Sequence, residues 1–497
     1  MKPFLGRETE LALLDETWDS PGAHMLILYG RRRVGKTALL VHWMRQSKQR
    51  VLYWVATPSS ADAQLKSFSQ AVYNFAAPQL PATDDFTYGS WDRAWQQVAW
   101  LAQNERLALF VDEFTYLLEV TPGLAGQLQN FWDHTLSRAN LMLVLCSSHL
   151  GMMKRGFLSY QAPLYGRASA QIHLRPLPFG ITRAYFPNYS AIDRVALYSI
   201  FGGVPAYWER VDPRRSVSKN MLSQLLRPNN LMQSEPRLLL QDFVSDPHNY
   251  VAILSAIAHG ARTPKEIEAM TGLPNVQVPK YLSVLAEAGF VERKTSITAP
   301  PNARSGRHHI VDPYLRFYYR FLDKRQDQIA LGIQEQALAE INKHMIDFIG
   351  AHTWEELCRE WTLRAGARGA LPFLPDQVGS AWNRQVQIDV AGINRMEKTL
   401  ILGECKWGQT AIERPVLANF IEKAQQIVPA QGKWRVLFLG FSRSGWTSGA
   451  HALRDEIENH PIAGNNWQSA GIRLLDLSQV DHDLEEWSRS ADSDFLI

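Results

Sequence analysis

The sequence predicts a multidomain α/β protein, and three observations carry that expectation. Strand-length apolar runs alternate with helical patterns over residues 1–180, a helix-rich stretch follows, and strands and helices resume beyond Gly350. The 497 residues are enough for about three domains at roughly 100–200 residues each. Hydrophobic residues make up 46% and charged residues 20%, the balance of a folded globular chain and not of a disordered one. The net charge of +3 is too weak to mark the whole chain as a nucleic-acid binder, so any basic surface is local. Cys146, Cys358 and Cys405 are too few and too scattered for a disulfide scaffold or a Cys-based zinc site. No apolar run approaches the roughly 18–20 residues of a membrane span, and MKPFLGRETE has no apolar signal core. The expectation is a cytoplasmic protein with no membrane partner.

The first strands are expected at His24–Tyr29, Val51–Val55, Leu107–Val111, Leu141–Cys146 and Gln171–Leu174, with helices such as Asp92–Asn104 and Ala125–Ser137 between them. Apolar strands alternating with helices form a parallel sheet covered on both faces. The composition shifts suggest boundaries at 1–180, 181–245, 246–330, a helical connector over 331–349, and 350–497.

The segment Gly30-Arg31-Arg32-Arg33-Val34-Gly35-Lys36-Thr37 fits the phosphate-binding pattern G-x-x-x-x-G-K-[ST], between the strand HMLILY and the helix TALLVHWM. The glycines let backbone N–H groups turn toward phosphate oxygens, and the helix N-terminus adds its dipole. Lys36 is placed to neutralise the β- and γ-phosphates of ATP, and Thr37 to hold Mg²⁺, with Ala38 opening the helix behind them. At the end of LALFV, Asp112 is the candidate metal partner, and Glu113 stands where a base polarises the attacking water. Ser147, at the end of LMLVLC, is a candidate γ-phosphate contact; a simple strand-end turn is the alternative. Arg167, in the turn PLYGR, is a candidate arginine finger, in cis or across the interface of a homo-oligomer, against the alternative of a surface arginine.

FLGRETEL, GRRRVGKT, FVDEF, LCSS, PLYGR and GGVP (202–205) together resemble the archaeal-type AAA+ ATPases of the STAND-related branch of P-loop NTPases. The resemblance implies an ASCE-type parallel sheet with a helical lid that includes GGVP, then a winged helix, and in many members a nuclease-like C-terminal domain. It also implies that Gly6-Arg7-Glu8 lies against the adenosine part of the nucleotide.

Asn249–Leu285 reads as three short helices, the second capped by Thr263 with Pro264 at its first position, and the third running over Val278–Ala288. A hairpin follows from Phe290, with Arg304, Arg307, His308 and His309 at its tip. This is a helix-turn-helix plus wing. Asn275, Gln277 and Lys280 are few base-reading side chains for a recognition helix, so non-specific phosphate contact from a basic wing is the expected DNA interaction. The alternative is a protein–protein module.

In the C-terminal stretch, Asp389 is followed after fourteen residues by Glu404-Cys405-Lys406. Both segments alternate as strands, and the polar Gly392–Lys398 stretch can join them as a hairpin. Glu404 and Lys406 then share a face, and Asp389 can lie beside them. Two carboxylates and a lysine suit metal-assisted phosphodiester hydrolysis: Asp389 and Glu404 hold Mg²⁺, and Lys406 orients the attacking water. The pattern resembles the PD-(D/E)xK nuclease superfamily, which implies a restriction-endonuclease-like α/β domain acting on nucleic acid, here DNA. On the preceding helix, expected over Thr353–Leu363, Glu355 borders the apolar face and is the candidate additional acid. A helix near Val416–Ile427, carrying Gln425 and Gln426, and a strand at Trp434–Phe438 complete the unit. The sequence thus points to an ATPase controlling an attached Mg²⁺-dependent nuclease. An ATP-gated signalling switch and a DNA-binding regulator are the alternatives.

Overall fold

The computed structural model describes residues 4–153, 156–157, 159–160, 162–241, 243–244, 246–300 and 305–489. The chain divides into two compact units: Met1–Pro176 with Val204–Tyr207, and Leu177–Gly203 with Trp208–Ile497.

In the first unit five strands, β1 (His24–Tyr29), β2 (Val51–Val55), β3 (Leu107–Asp112), β4 (Leu141–Ser147) and β5 (Ala170–His173), form an all-parallel sheet in the order β2-β3-β4-β1-β5. Every residue of β3 and β4 is buried. Alternate residues feed two cores. Met25, Ile27, Leu107 and Leu109 pack with the helices Ala61–Ala76 and Trp91–Leu101 on one face. Leu26, Leu28, Ala108 and Phe110 pack with Lys36–Ser47 on the other. This alternation is why the strands read as unbroken apolar runs. The β1–β4 register brings Tyr29 level with Ser147, so both strands end at the same edge.

The second unit opens with helices, among them Ala191–Phe201, Val217–Leu225 and Leu231–Gln241. Most of the stretch expected as a lid, 181–245, therefore groups with the C-terminal part of the chain. Its anchor there is ionic: Arg183 meets Glu485 at 2.6 Å, and Arg194 pairs with Asp481, both carboxylates lying on the helix Leu477–Arg489.

The next module has helices His248–Ala258, Pro264–Thr271 and Val278–Glu287, followed by β6 (Val291–Lys294) and β7 (Arg307–Ile310) as an antiparallel pair. Thr263 and Glu266 form a reciprocal capping box at the start of the second helix. The hairpin departs from expectation. Arg307, His308 and His309 lie on β7, not at a tip; Arg304 is outside the described residues. Arg307 donates to Gln387 Oε1 at 2.7 Å and stacks 4.5 Å over the Trp382 ring. These three side chains are part-buried on β7, so the tip expected to carry them does not include them.

The last sheet has the order β12-β11-β10-β9-β8. β8 (Gln377–Trp382), β9 (Gln387–Asn394) and β10 (Thr399–Lys406) form an antiparallel meander; β11 (Trp434–Ser442) and β12 (Trp467–Asp476) add parallel to β10. β8 and β12 were not expected, because QVGSAW and WQSAGIRLLD lack a strong apolar run. The hairpin turn is only residues 395–398; strand pairing continues through Asn394. The helix Arg414–Ala424 covers one face through Leu417, Phe420 and Ile421. The preceding helix starts at Glu355 and runs to Ala367, after a wide turn over Gly350–Trp354. Among the described residues, no helix is long and apolar enough to cross a membrane.

Candidate functional site

The loop Gly30–Gly35 leaves the end of β1 and the helix Lys36–Ser47 begins behind it. Gly30 is required sterically: a Cβ there would strike the Leu174 carbonyl oxygen. Gly35 takes φ 100°, in the left-handed region. Lys36 is buried and donates to the carbonyls of Gly30 at 2.9 Å and Arg31 at 3.0 Å, so its ammonium sits inside the loop. Burial pushes its pKa down. Thr37 Oγ1 donates to Asp112 Oδ2 at 2.7 Å, so the candidate Mg²⁺ pair is already in contact. Tyr53, from the neighbouring β2, donates to the same oxygen at 2.8 Å, a partner the sequence did not flag. Arg31 donates to the Tyr207 hydroxyl at 3.0 Å and Arg32 to that of Tyr116 at 3.2 Å. Arg33 has φ 69°; Val34 is buried in the core beneath the loop; Ala38 follows Thr37 in the first helical turn.

Glu113 also adopts a left-handed backbone, φ 51°, a conformation costing a non-glycine residue roughly 1–2 kcal/mol. The surroundings hold it there. Phe114 N–H donates to Cys146 O at 2.9 Å, and the Ser148 hydroxyl donates to the Glu113 carboxylate at 2.9 Å. This corrects the expectation for the β4 end. Ser147 is fully buried and shares a 2.7 Å hydrogen bond with Thr115, facing away from solvent. Ser148, the next residue, is the one that touches a candidate catalytic group.

In the second unit, β9 and β10 pair Gly403 with Val390; one step further along the same register sets Glu404 opposite Asp389, and directly opposed residues of an antiparallel pair share a face. Cys405 N–H donates to Asp389 Oδ2 at 3.0 Å. Lys406 Nζ donates to Glu404 Oε1 at 2.7 Å, the same-face contact that strand parity requires. Glu355 belongs to the group. Arg359, one turn along its helix, donates to Glu355 Oε2 at 3.1 Å, to the Asp389 carbonyl at 2.8 Å and to Ser380 Oγ at 3.0 Å. The Asp389 carboxyl is pushed up by burial and then by Glu404, and that of Glu355 by burial and then by Asp389. Two residues were missed from sequence: Arg359, and Lys423, whose ammonium lies 3.4 Å from Glu404 Oε1. Lys423 lies on the helix Arg414–Ala424, and Gln425 and Gln426 on the 3-10 turn that follows it. A charged residue one turn from an expected site was the available signal. Among the described residues no three His, Cys, Asp or Glu side chains converge as a ready-made metal cage. Two facing carboxylates nonetheless suit Mg²⁺, which is held through one or two carboxylates plus waters and substrate phosphate.

Residues 4–211 match the family model described as an ATPase domain predominantly from Archaea. Residues 318–416 match one described as archaeal and bacterial proteins of unknown function, a span that includes Glu355, Asp389, Glu404 and Lys406. This chain carries an ATPase domain of the archaeal type. An uncharacterised protein of Methanocaldococcus jannaschii is 28% identical over 404 residues, 81% of this chain and 87% of that protein. An uncharacterised ATP-binding protein of the same organism is 44% identical over 45 residues, 9% of this chain and 76% of that one. Among solved structures, the Walker-type ATPase of Pyrococcus abyssi aligns with a TM-score of 0.50 at 18% identity, covering 64% of this chain and 96% of that one. At that identity the likeness is one of fold.

Within the ATPase domain Arg7 and Arg167 both have protein partners. Arg7 is buried, and its guanidinium is committed to the Val34 and Arg175 carbonyls, at 3.1 and 2.8 Å, and to Glu10 at 3.0 Å. It braces the phosphate loop. Arg167 stands just before β5. Because β5 is parallel to β1 and His173 pairs with Tyr29 at its far end, Arg167 lies at the sheet edge opposite the phosphate loop. There it forms a partly exposed pair with Asp133 at 2.9 Å. An arginine finger in cis is therefore excluded by strand direction.

Two histidines of the second unit give a pH dependence. Burial, then Lys294 and Arg262, push His309 down to about 2, and burial, then Arg316, push His352 down to about 3. Both stay neutral in the fold and accept a proton on unfolding. Their contribution is intact above the unfolded value of about 6.5 and is lost as pH falls below it, at up to about 1.4 kcal/mol per pH unit for each. Thermal melts at pH 7.5 and 5.5 are expected to show a marked fall on acidification, and His309→Gln to flatten it. A slope unchanged by that substitution would rule out His309 as a buried neutral group.

Proposed function

We propose that the protein is a cytoplasmic AAA+-type, STAND-related switch that binds and hydrolyses ATP with Mg²⁺ and controls an attached Mg²⁺-dependent DNA nuclease of the PD-(D/E)xK kind. The observation that carries the reading is the placement of Asp389, Glu404 and Lys406 together at one sheet end, joined by Glu355, in a chain that also holds Lys36, Thr37 and Asp112 around one loop. In the first site Lys36 neutralises the phosphates, and Gly30–Ala38 wrap them with backbone N–H groups. Thr37 and Asp112 hold Mg²⁺, and Glu113 polarises the attacking water. Ser148 keeps Glu113 aimed. Arg167 can act as a finger only in trans, in a homo-oligomer. In the second site Asp389 and Glu404 hold Mg²⁺, which supplies charge stabilisation at the scissile phosphate. Lys406 orients the attacking water, and Arg359 positions Glu355. The helices of 248–287 with β6 and β7 form a winged helix serving chiefly as an internal contact, since Arg307 meets Trp382 and Gln387.

The decisive experiment incubates supercoiled and linear DNA with the full chain and Mg²⁺, with and without ATP. Cleavage that depends on Asp389 supports the proposal; its absence under every metal and nucleotide condition favours an ATP-gated switch with an inactive nuclease fold. For the first site, Glu113→Gln is expected to retain ATP and to lower turnover about 10²–10⁴-fold, the usual contribution of general base catalysis. Ser148→Ala, which only frees the carboxylate, is expected to lose less. Single-turnover assays check both, and full turnover in Glu113→Gln would reject the assignment.

A further inference from the structure

A cavity of about 130 Å³ lies between the helix-hairpin module and the C-terminal sheet. A single water needs about 10–15 Å³ on the same measure, so a multi-atom ligand fits. Its walls hold five cations, Arg262, Lys294, Arg307, Arg316 and Arg359, and two carboxylates, Glu355 and Glu356. The carboxylates are already paired: Glu356 with Arg316 at 2.7 Å, and Glu355 with Arg359 at 3.1 Å. Lys294 meets Glu292 at 2.7 Å. Arg262 and Arg307 contact neutral groups instead, His309 Nε2 at 3.5 Å and Gln387 Oε1 at 2.7 Å. The nearby Glu266 is occupied by the backbone N–H groups of Arg262 and Thr263. Glu266 keeps its charge, so against the five cations the four carboxylates leave an excess of one positive charge around the cavity.

The electrostatics of the walls agree. Burial and then Arg262 lower the Arg307 pKa, and Glu266 raises it by less, so like charge dominates around this guanidinium. His309 and His352, also on the wall, are held neutral by burial and by the same cations. Like charges gathered in a low-dielectric recess favour an anion, and guanidinium forks match phosphate oxygens two at a time.

We propose that this cavity binds a phosphate group, carried either by a mononucleotide or by the end of a nucleic-acid strand. The bound phosphate ties Arg262 and Arg307 of the helix-hairpin module to Arg359 of the C-terminal domain. Since Arg359 also touches Glu355 and the Asp389 carbonyl, occupancy is felt at the carboxylate group. The site is separate from the phosphate loop and does not require cleavage.

The test uses the full chain carrying Lys36→Ala, to silence the phosphate loop, in EDTA and in phosphate-free buffer, so that neither metal nor catalysis enters. Inorganic pyrophosphate, titrated by calorimetry, is expected to bind one site, and Arg262→Gln to weaken it at least tenfold. Arg262→Lys, which keeps the charge but loses the fork, should fall between. AMP and a 5′-phosphorylated dinucleotide, against its 5′-hydroxyl form, tell which carrier fits. If pyrophosphate does not bind the Lys36→Ala chain, or binds equally after Arg262→Gln with an unchanged melting curve, the proposal is overturned. If Arg262→Gln unfolds the chain, the same tenfold criterion passes to Arg307→Gln.

Discussion

Lys36→Ala is expected to weaken ATP binding by at least about a hundredfold. The ammonium is buried in the loop and bonded to the Gly30 and Arg31 carbonyls, so it stands ready to exchange those neutral partners for phosphate oxygens. Hydrogen bonds to a charged group contribute roughly 1.5–3 kcal/mol each, and two of them exceed the 2.8 kcal/mol or so that a hundredfold change requires. Titration with a fluorescent ATP analogue measures the loss, and a melting curve verifies that the variant is folded. Unchanged affinity in a folded variant would remove the nucleotide assignment. The C-terminal site offers a control, because Lys36 and Asp389 belong to different compact units.

Asp389→Asn, Glu404→Gln and Lys406→Ala are each expected to lower DNA cleavage by about a thousandfold or more and to leave ATP turnover within about twofold. A thousandfold corresponds to roughly 4 kcal/mol of transition-state stabilisation, which is what losing a metal ligand or a water-orienting lysine removes. Asp389→Asn keeps shape and abolishes the charge, and the acceptance of the Cys405 N–H survives through the amide oxygen, so folding is preserved. Timed plasmid nicking in Mg²⁺ and in Mn²⁺ reads the result. Three variants as active as the parent would mean that any observed nuclease resides elsewhere. Arg359→Lys is informative beside them: as a positioning residue it should alter the metal concentration needed for half-maximal cleavage more than the maximal rate.

The candidate site residues were legible because the chemistry proposed for them demands a pattern. A phosphate loop needs glycines, a lysine and a hydroxyl at fixed spacing between a strand and a helix, and accordingly Lys36 sits inside the loop and Thr37 meets Asp112. The Asp389, Glu404 and Lys406 grouping followed from a period of two along each strand, and Lys406 meets Glu404 as that period requires. Glu355 was selected by helical angle alone, and in the fold Arg359 bridges it to the Asp389 carbonyl.

What could not be read had no local signature. Sheet order placed Arg167 at the wrong edge for a finger in cis. The opposite directions of adjacent side chains, Ser147 toward Thr115 and Ser148 toward Glu113, decided which serine meets Glu113. The strands β8 and β12 gain stability from neighbours already in the sheet, so their own sequences carry little apolar signal. Arg359 and Lys423 became site residues only because helices distant in sequence deliver them to Asp389 and Glu404.

By itself, then, the sequence determined the alternation of strands and helices, the phosphate loop and the identity of the carboxylates, all of which depend on spacings of a few residues. The tertiary structure alone decided where Arg7, Arg167 and Arg307 spend their charge. Beside local contacts such as Arg7 with Glu10, each guanidinium has a partner far along the chain, at Arg175, Asp133 and Gln387. A long flexible cation can reach many acceptors, and which one it takes is set by packing between elements and not by the residues beside it.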